Sequence, residues 1–276
     1  MAVTARTAAG QALAAATDAL AAAGVATPRL DAEVMLAAAS GVERARLLAD
    51  RDLQIDGPAA RRFGEMVRRR LEREPVAYIV GEKGFRRLAL ACDRRALVPR
   101  PETELLVDVA IELQPRSVLD VGTGSGAVAL AIADELPRAS IAATDVSEPA
   151  LELARLNAER LGLSDRVTFS RGTLAPGEFD LVVANLPYVS ESELEDLEPE
   201  IVAFEPRLAL VAGADGLAVI RTLLAEVDPV VHKVLALEVG IGQSGDVAAL
   251  LGAAGYRRAE VRRDLARVER VVIGTQ

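Results

Sequence analysis

The nine residues Val118-Leu119-Asp120-Val121-Gly122-Thr123-Gly124-Ser125-Gly126 constrain the fold of this chain more than any other stretch. They begin as a short apolar run of strand type and break into a loop with glycine at every second position. The next residues, Ala127-Val128-Ala129-Leu130-Ala131-Ile132-Ala133, are apolar without interruption, the pattern of a buried helix. A strand, a glycine turn and a helix form the first unit of a nucleotide-binding α/β sheet. Glycine is required because the backbone must turn sharply and admit a ligand where a Cβ would stand. The helix behind the loop offers unpaired N–H groups to an arriving phosphate or carboxylate.

The loop alone leaves two cofactors open. Gly122, Gly124 and Ala127 satisfy the dinucleotide fingerprint in its alanine form, which suits a nicotinamide-dependent enzyme. Asp120 with Gly122, Gly124 and Gly126 equally matches the S-adenosylmethionine loop of methyltransferases. Asp145 closes the next apolar run, 19 residues beyond Gly126. A carboxylate there can accept the ribose hydroxyls of either cofactor. A loop that merely turned the chain would need no such acid.

At 276 residues the chain is long enough for two unequal domains. Its net charge of −9 argues against a broad nucleic-acid footprint and suits a small molecule or a basic protein partner. The single cysteine, Cys92, excludes an intramolecular disulfide. The single histidine, His232, leaves no histidine triad, and no metal site is expected. No apolar run is long enough to span a membrane. The alanine-rich start carries Asp18 and has Leu13, Ala16 and Leu20 at helical spacing, so it reads as a packed helix rather than a targeting signal. A cytoplasmic protein is expected.

Helices are expected over 4–23, from Pro28 with Leu30, Val34, Met35 and Leu36 inward, around Arg44–Ala49, and from Pro58 to Glu72. The last carries Arg61, Arg62, Arg68, Arg69 and Arg70, either a solvated face or a docking patch. These helices define an N-terminal domain over 1–75. Ala77–Val80 and Arg87–Cys92 look strand-like, so 76–98 reads as a β-hairpin linker. The remainder, 99–276, alternates strands and helices. Strands are expected near 117–121, 139–145, 166–170, 179–184, 233–239, 256–262 and 267–274. Only a turn separates the last two, so one must run antiparallel. Seven strands ending in such a hairpin describe the Rossmann-like α/β architecture of class I methyltransferases.

The fourth strand runs directly into Asn185-Leu186-Pro187-Tyr188. This tetrapeptide resembles the (Asn/Asp/Ser)-Pro-Pro-(Tyr/Phe) motif of methyltransferases that act on planar nitrogens. In open α/β sheets ligands bind at the carboxyl ends of strands, where Asn185 would lie beside the glycine loop. An amide nitrogen is a poor nucleophile because its lone pair is delocalised. Acceptors fixed on its hydrogens, the Asn185 side-chain oxygen and a carbonyl near Leu186, would favour charge developing there. Tyr188 would pack on the flat group and hold it in line.

Further residues make the resemblance specific. The chain is similar to the release-factor glutamine N5-methyltransferase family (PrmC, also called HemK) nearly end to end. The likeness rests on the helical N-terminus, Arg73–Gly81, Val98-Pro99-Arg100-Pro101-Glu102-Thr103-Glu104, the Asp120–Gly126 loop, Phe204–Leu210 and Gly213–Gly216. It implies S-adenosylmethionine as methyl donor, S-adenosylhomocysteine as product, and the Gly-Gly-Gln glutamine of class-1 peptide release factors as substrate. It also implies that Asp120, Gly122, Thr123, Gly124, Ser125, Gly126, Asp145, Thr173 and Asn185 bind the cofactor, while Asn185, Leu186, Pro187 and Tyr188 hold the glutamine. The N-terminal domain would dock the substrate protein, the enzyme would be a monomer, and no direct nucleic-acid contact is expected. Leu186 stands where the family has proline, and Thr173 where it often has an aromatic or acidic residue. Asn-Leu-Pro-Tyr is also the form found in rRNA adenine methyltransferases, which supplies an alternative substrate. A non-catalytic S-adenosylmethionine-binding module is a second alternative.

Overall fold

The structure, a computed structural model, describes residues 7–276, so the first positions of the helix expected over 4–23 lie outside the described residues. The chain divides into two compact units, Met1–Gly81 with Glu198–Phe204, and Glu82–Leu197 with Glu205–Gln276.

The first unit is helical, with α1 (Ala9–Ala22), α2 (Pro28–Ser40), α3 (Arg44–Ala49), α4 (Gly57–Leu71) and α5 (Val76–Val80). Leu13, Ala16 and Leu20 point inward from α1, as their spacing predicts, onto Met35, Leu36, Leu47 and Phe63. In α2 the inner stripe is Ala32, Met35, Leu36 and Ala39, and Leu30 faces solvent instead. Asp56 caps α4 by accepting from the Ala59 N–H at 2.7 Å.

Two expectations are corrected here. Val76–Val80 is a helical turn rather than a strand, ended by Gly81 in the left-handed conformation, φ 81°. Five apolar residues carry no usable period, and the capping geometry decides between the two forms. The arginines of α4 are not one free patch. Arg70 is only 5 % exposed and donates to Asp31 at 2.7 Å and to Glu200 at 2.8 Å. Arg69 grips Glu74 through two bonds, and Arg62 donates to the Ala39 carbonyl. Arg73 also bonds Glu200. These pairs hold the helix Pro199–Phe204 within this unit.

The second unit is built on seven strands: β1 (Ser117–Val121), β2 (Ser140–Asp145), β3 (Val167–Arg171), β4 (Phe179–Ala184), β5 (His232–Glu238), β6 (Arg258–Arg263) and β7 (Glu269–Thr275). Every expected strand is present within a few residues. Their spatial order is β6-β7-β5-β4-β1-β2-β3. β7 alone is antiparallel to its neighbours, and β5 through β3 run parallel. Side chains alternate between two cores: Val118, Leu181 and Val183 pack under α6 (Glu104–Leu113) and α7 (Ala127–Glu135). Leu119, Val182 and Ala184 pack against the helices Ala218–Glu226 and Ser244–Ala253.

A hairpin is present, but its first strand is Glu82–Phe85 rather than the expected Ala77–Val80; it pairs with Leu88–Ala91, and both strands belong to the second unit. Phe85, Leu88 and Leu90 join its core. Asn157 of α8 (Glu148–Arg160) locks the end of the hairpin, accepting from the Ala91 N–H at 2.7 Å and donating to its carbonyl at 3.1 Å. Because β1 lies between β2 and β4, chain direction across the sheet reverses at β1. That is where a crevice opens at the carboxyl ends.

Candidate cofactor and substrate site

A cavity of about 390 Å³ opens at this reversal point, a volume within the range of small-molecule sites. Gly122, Thr123, Gly124 and Ser125 form one wall, Asp145 and Thr173 a second, and Asn185, Leu186 and Pro187 a third. Val98, Arg100 and Thr103 also line it.

The loop is held from behind. Gly122, Gly124 and Gly126 all have positive φ, at 72°, 56° and 83°. The Gly122 and Thr123 N–H groups both donate to the Thr144 carbonyl, at 2.8 and 2.9 Å. A Cβ on Gly122 would stand 3.0 Å from Leu186, so the glycine lets the loop and the Asn-Leu-Pro-Tyr segment approach. Gly126 serves the fold rather than the cavity, since a Cβ there would meet Leu130 at 3.0 Å and Ala154 at 3.2 Å. Asn157 also donates to the Ser125 carbonyl at 2.9 Å.

Asp120 is buried and spends Oδ2 inside the loop, accepting from Thr123 Oγ1 at 2.6 Å and from the Ala129 N–H at 3.1 Å. Burial pushes its carboxyl up to about 6, against the Thr123 and Ala129 bonds, with Asp145 adding to the rise. Asp145 ends β2 with both oxygens in use: Oδ2 accepts from the Gly124 N–H at 2.9 Å, and Oδ1 from the Ser147 N–H at 2.8 Å. A carboxylate oxygen carries two lone pairs, so each retains capacity for a ligand hydroxyl. Thr173 borders the cavity, and its carbonyl accepts from Thr144 Oγ1 at 2.7 Å.

Asn185 follows β4, and its Nδ2 donates to Thr103 Oγ1 at 3.0 Å. The amide's acceptor, Oδ1, is thereby the group left for a ligand. Leu186 is buried in the core beneath the glycine loop. Tyr188 lies outside the cavity lining among the described residues, and burial pushes its phenol up to about 12. Its carbonyl accepts from Gln243 Nε2 at 2.9 Å, and a Cβ on Gly216 would stand 2.3 Å from that same oxygen. Glu205 pairs with Arg100 and reaches the Val98 N–H at 3.4 Å, tying two distant motifs into one wall. Burial raises the Glu205 carboxyl, opposed by Arg100.

The expected site residues other than Gly126 and Tyr188 line the cavity, and those two do not. Thr103, which lines the cavity, was not anticipated as a site residue, nor were Asn157 and Gln243, which hold neighbouring backbone, or Glu238, beside Asn185. Glu238 had a signal, a charged residue ending an apolar strand on the ligand side. Cys92 is buried, and desolvation pushes its thiol up to about 12, so it is inert at neutral pH. Among the described residues no cluster of His, Cys, Asp and Glu could hold a metal ion, and no helix is long and apolar enough to cross a membrane.

The donor set fits a nucleoside-bearing cofactor. A carboxylate faces the cavity at the end of β2, glycines leave room at the end of β1, and apolar side chains such as Val98 and Val146 line the remainder.

Comparison with known proteins agrees with this geometry. Residues 11–81 match the model of the PrmC N-terminal domain, and residues 101–214 that of the methyltransferase small domain. A release factor glutamine methyltransferase of Caulobacter vibrioides is 39 % identical over 272 residues, 95 % of this chain and 94 % of that one. One of Moorella thermoacetica is 42 % identical over 267 residues, covering 93 % and 94 %. Among solved structures, the hMettl16 catalytic domain in complex with a MAT2A hairpin superposes with a TM-score of 0.57 at 16 % identity. It covers 68 % of this chain and 75 % of that one, and shares the fold.

Proposed function

The chain belongs to the release factor glutamine methyltransferase family, and from that premise we propose that it transfers a methyl group from S-adenosylmethionine to a glutamine side-chain amide nitrogen. The glutamine is that of the Gly-Gly-Gln motif in class-1 peptide release factors, and S-adenosylhomocysteine is the product. The observation that carries the reading is Asn185, with Nδ2 turned to Thr103 and Oδ1 left to accept beside the glycine loop.

The bound cofactor supplies an electrophilic methyl group. Asp145 would take its ribose hydroxyls, and the Gly122–Ser125 loop would leave space for its backbone-side approach. Thr173 borders the adenine end. Asn185 Oδ1 accepts one amide hydrogen of the glutamine, and the Leu186 carbonyl accepts the other. Two fixed acceptors favour positive charge gathering on that nitrogen as it attacks, and dipoles set in advance need no reorganisation. The amide proton becomes acidic once the nitrogen carries the methyl, so it can leave to solvent without a strong base. The leucine at position 186 keeps the carbonyl that proline would offer.

The first unit serves as the docking module for the release factor, and the protein acts in the cytoplasm as a monomer without direct nucleic-acid contact. The acidic balance of the chain supports that reading over an rRNA substrate.

The test is mass spectrometry of a release factor incubated with the protein and S-adenosylmethionine, beside an adenine-containing rRNA fragment. A single methyl on the Gly-Gly-Gln glutamine is expected. Methylated RNA with unmodified protein would replace the substrate, and cofactor binding without any product would leave only a binding module.

A further inference from the structure

Glu238, the last residue of β5, has no task in the chemistry above, yet it is only 2 % exposed. Its Oε2 has no hydrogen-bond partner among the described residues. A buried carboxylate oxygen without a partner is costly and calls for an explanation. In the sheet Leu237 stands opposite Ala184, so the next residues along the two strands, Glu238 and Asn185, leave the sheet side by side.

Thr103 joins them. Its hydroxyl accepts from Asn185 Nδ2 at 3.0 Å, and it lies close enough to Glu238 to favour the ionised carboxyl, although no bond of normal geometry reaches Oε2. A threonine hydroxyl has one proton and two lone pairs. If that proton points to Glu238, Oγ1 can only accept from Asn185, so the amide must turn its NH2 to Thr103. Oδ1 then faces the substrate. If the proton points to Asn185 instead, the amide inverts and presents NH2 to another amide's hydrogens, donor against donor.

We propose that Glu238 is a positioning residue for methyl transfer: as a carboxylate it draws the Thr103 proton to itself and thereby holds Asn185 with Oδ1 toward the glutamine. This rests on the methylation reading above.

The proposal carries a pH dependence. The charged and titratable groups around Glu238 are Arg270 on β7, Arg100 and Glu102 on the segment before α6, and Tyr188 after β4. Burial raises the Glu238 carboxyl to about 7, with Thr103 and Arg270 opposing, Glu102 adding, and Arg100 opposing. A protonated Glu238 can itself donate to Thr103, which frees the threonine proton to turn toward Asn185. Methyl transfer should therefore slow as pH falls through about 7.

The experiment is single-turnover methylation of an intact release factor at saturating S-adenosylmethionine, across that pH window, by wild type, Glu238→Gln, Thr103→Ser and Thr103→Val. Wild type should show an acid limb near neutrality. Glu238→Gln, of nearly the same shape, should be at least about tenfold slower with no limb and with unchanged cofactor affinity. Thr103→Ser should restore both rate and limb, and Thr103→Val should lose both. Wild-type rates from Glu238→Gln, or a slow variant that keeps the limb, would overturn the proposal. If Glu238→Gln does not fold, the threonine pair decides: an unaltered limb in Thr103→Val overturns it. A wild type that methylates no glutamine overturns the functional reading and this proposal together, whereas an active wild type with an indifferent Glu238 overturns this proposal alone.

Discussion

Replacing Asp145 by asparagine separates two duties that one carboxylate performs. In the structure its oxygens accept from the Gly124 N–H at 2.9 Å and the Ser147 N–H at 2.8 Å. An asparagine can offer an oxygen to only one of them. Its NH2 must then face the other N–H, and that backbone donor loses its partner. A hydrogen bond to a charged group is worth about 1.5–3 kcal/mol, and an unsatisfied donor costs about 1–3. Asp145 is only half-buried, and solvent screening reduces the net loss to about 1–2 kcal/mol. For a unit of this size that lowers Tm by roughly 2–8 °C. Cofactor affinity should fall further, because the ribose hydroxyls lose a charged acceptor and the glycine loop loses its anchor. One such bond corresponds to roughly 10- to 150-fold in Kd. Calorimetric titration with S-adenosylhomocysteine reads the second effect, and differential scanning calorimetry without ligand reads the first. An unchanged Kd would refute the ribose assignment; an unchanged Tm would refute the claim that Asp145 anchors the loop.

Asn185→Ala removes the substrate acceptor and should lower kcat at least about tenfold, or 1.4 kcal/mol of barrier, as single-turnover kinetics at saturating S-adenosylmethionine would show. Gly126→Ala must adopt φ 83° and place its Cβ 3.0 Å from Leu130. Left-handed strain of about 1–2 kcal/mol and overpacking of about 1–3 should together appear as a lower urea midpoint. Arg70→Met strips the buried Asp31 of its arginine and leaves Glu200 with Arg73 alone, so a loss of about 3 kcal/mol is expected in chemical denaturation. His232 is kept below its ordinary value of 6.5 by burial, against Asp228. The unfolded chain takes up that proton first, so stability present above about 6.5 is lost as pH falls below it. His232→Gln should flatten this part of the stability profile and leave the methylation rate unchanged.

Most of the second unit was legible in the sequence because its strands are buried on both faces. Such strands read as continuous apolar runs, and β1, β2 and β4 each end in the glycine, acidic or Asn-Leu-Pro-Tyr segment that their carboxyl ends carry into the site. The hairpin of β6 and β7 was legible for a different reason. Two strand-like runs joined by only a turn have no parallel alternative. By contrast, Val76–Val80 and the inner stripe of α2 were misjudged locally. Five apolar residues fit a strand or a helical turn equally, and Leu30 lies on the outer side of a stripe that alanines complete.

The sequence by itself determined the chemistry available to this protein: a glycine loop, an acid one strand later, and an asparagine at the end of the fourth strand. Each is a local pattern, set by backbone sterics and by the two-residue period of a strand. What only the tertiary structure decided is which polar groups those residues meet. Thr103 reaches Asn185 across 82 positions, and Arg70 reaches Glu200 across 130. Glu238 comes beside Asn185 because β5 lies parallel to β4 with Leu237 opposite Ala184. A buried charge or amide takes its partner from whatever the packed chain brings within 3 Å. Strand order and helix packing set that neighbourhood, and no run of adjacent residues encodes it.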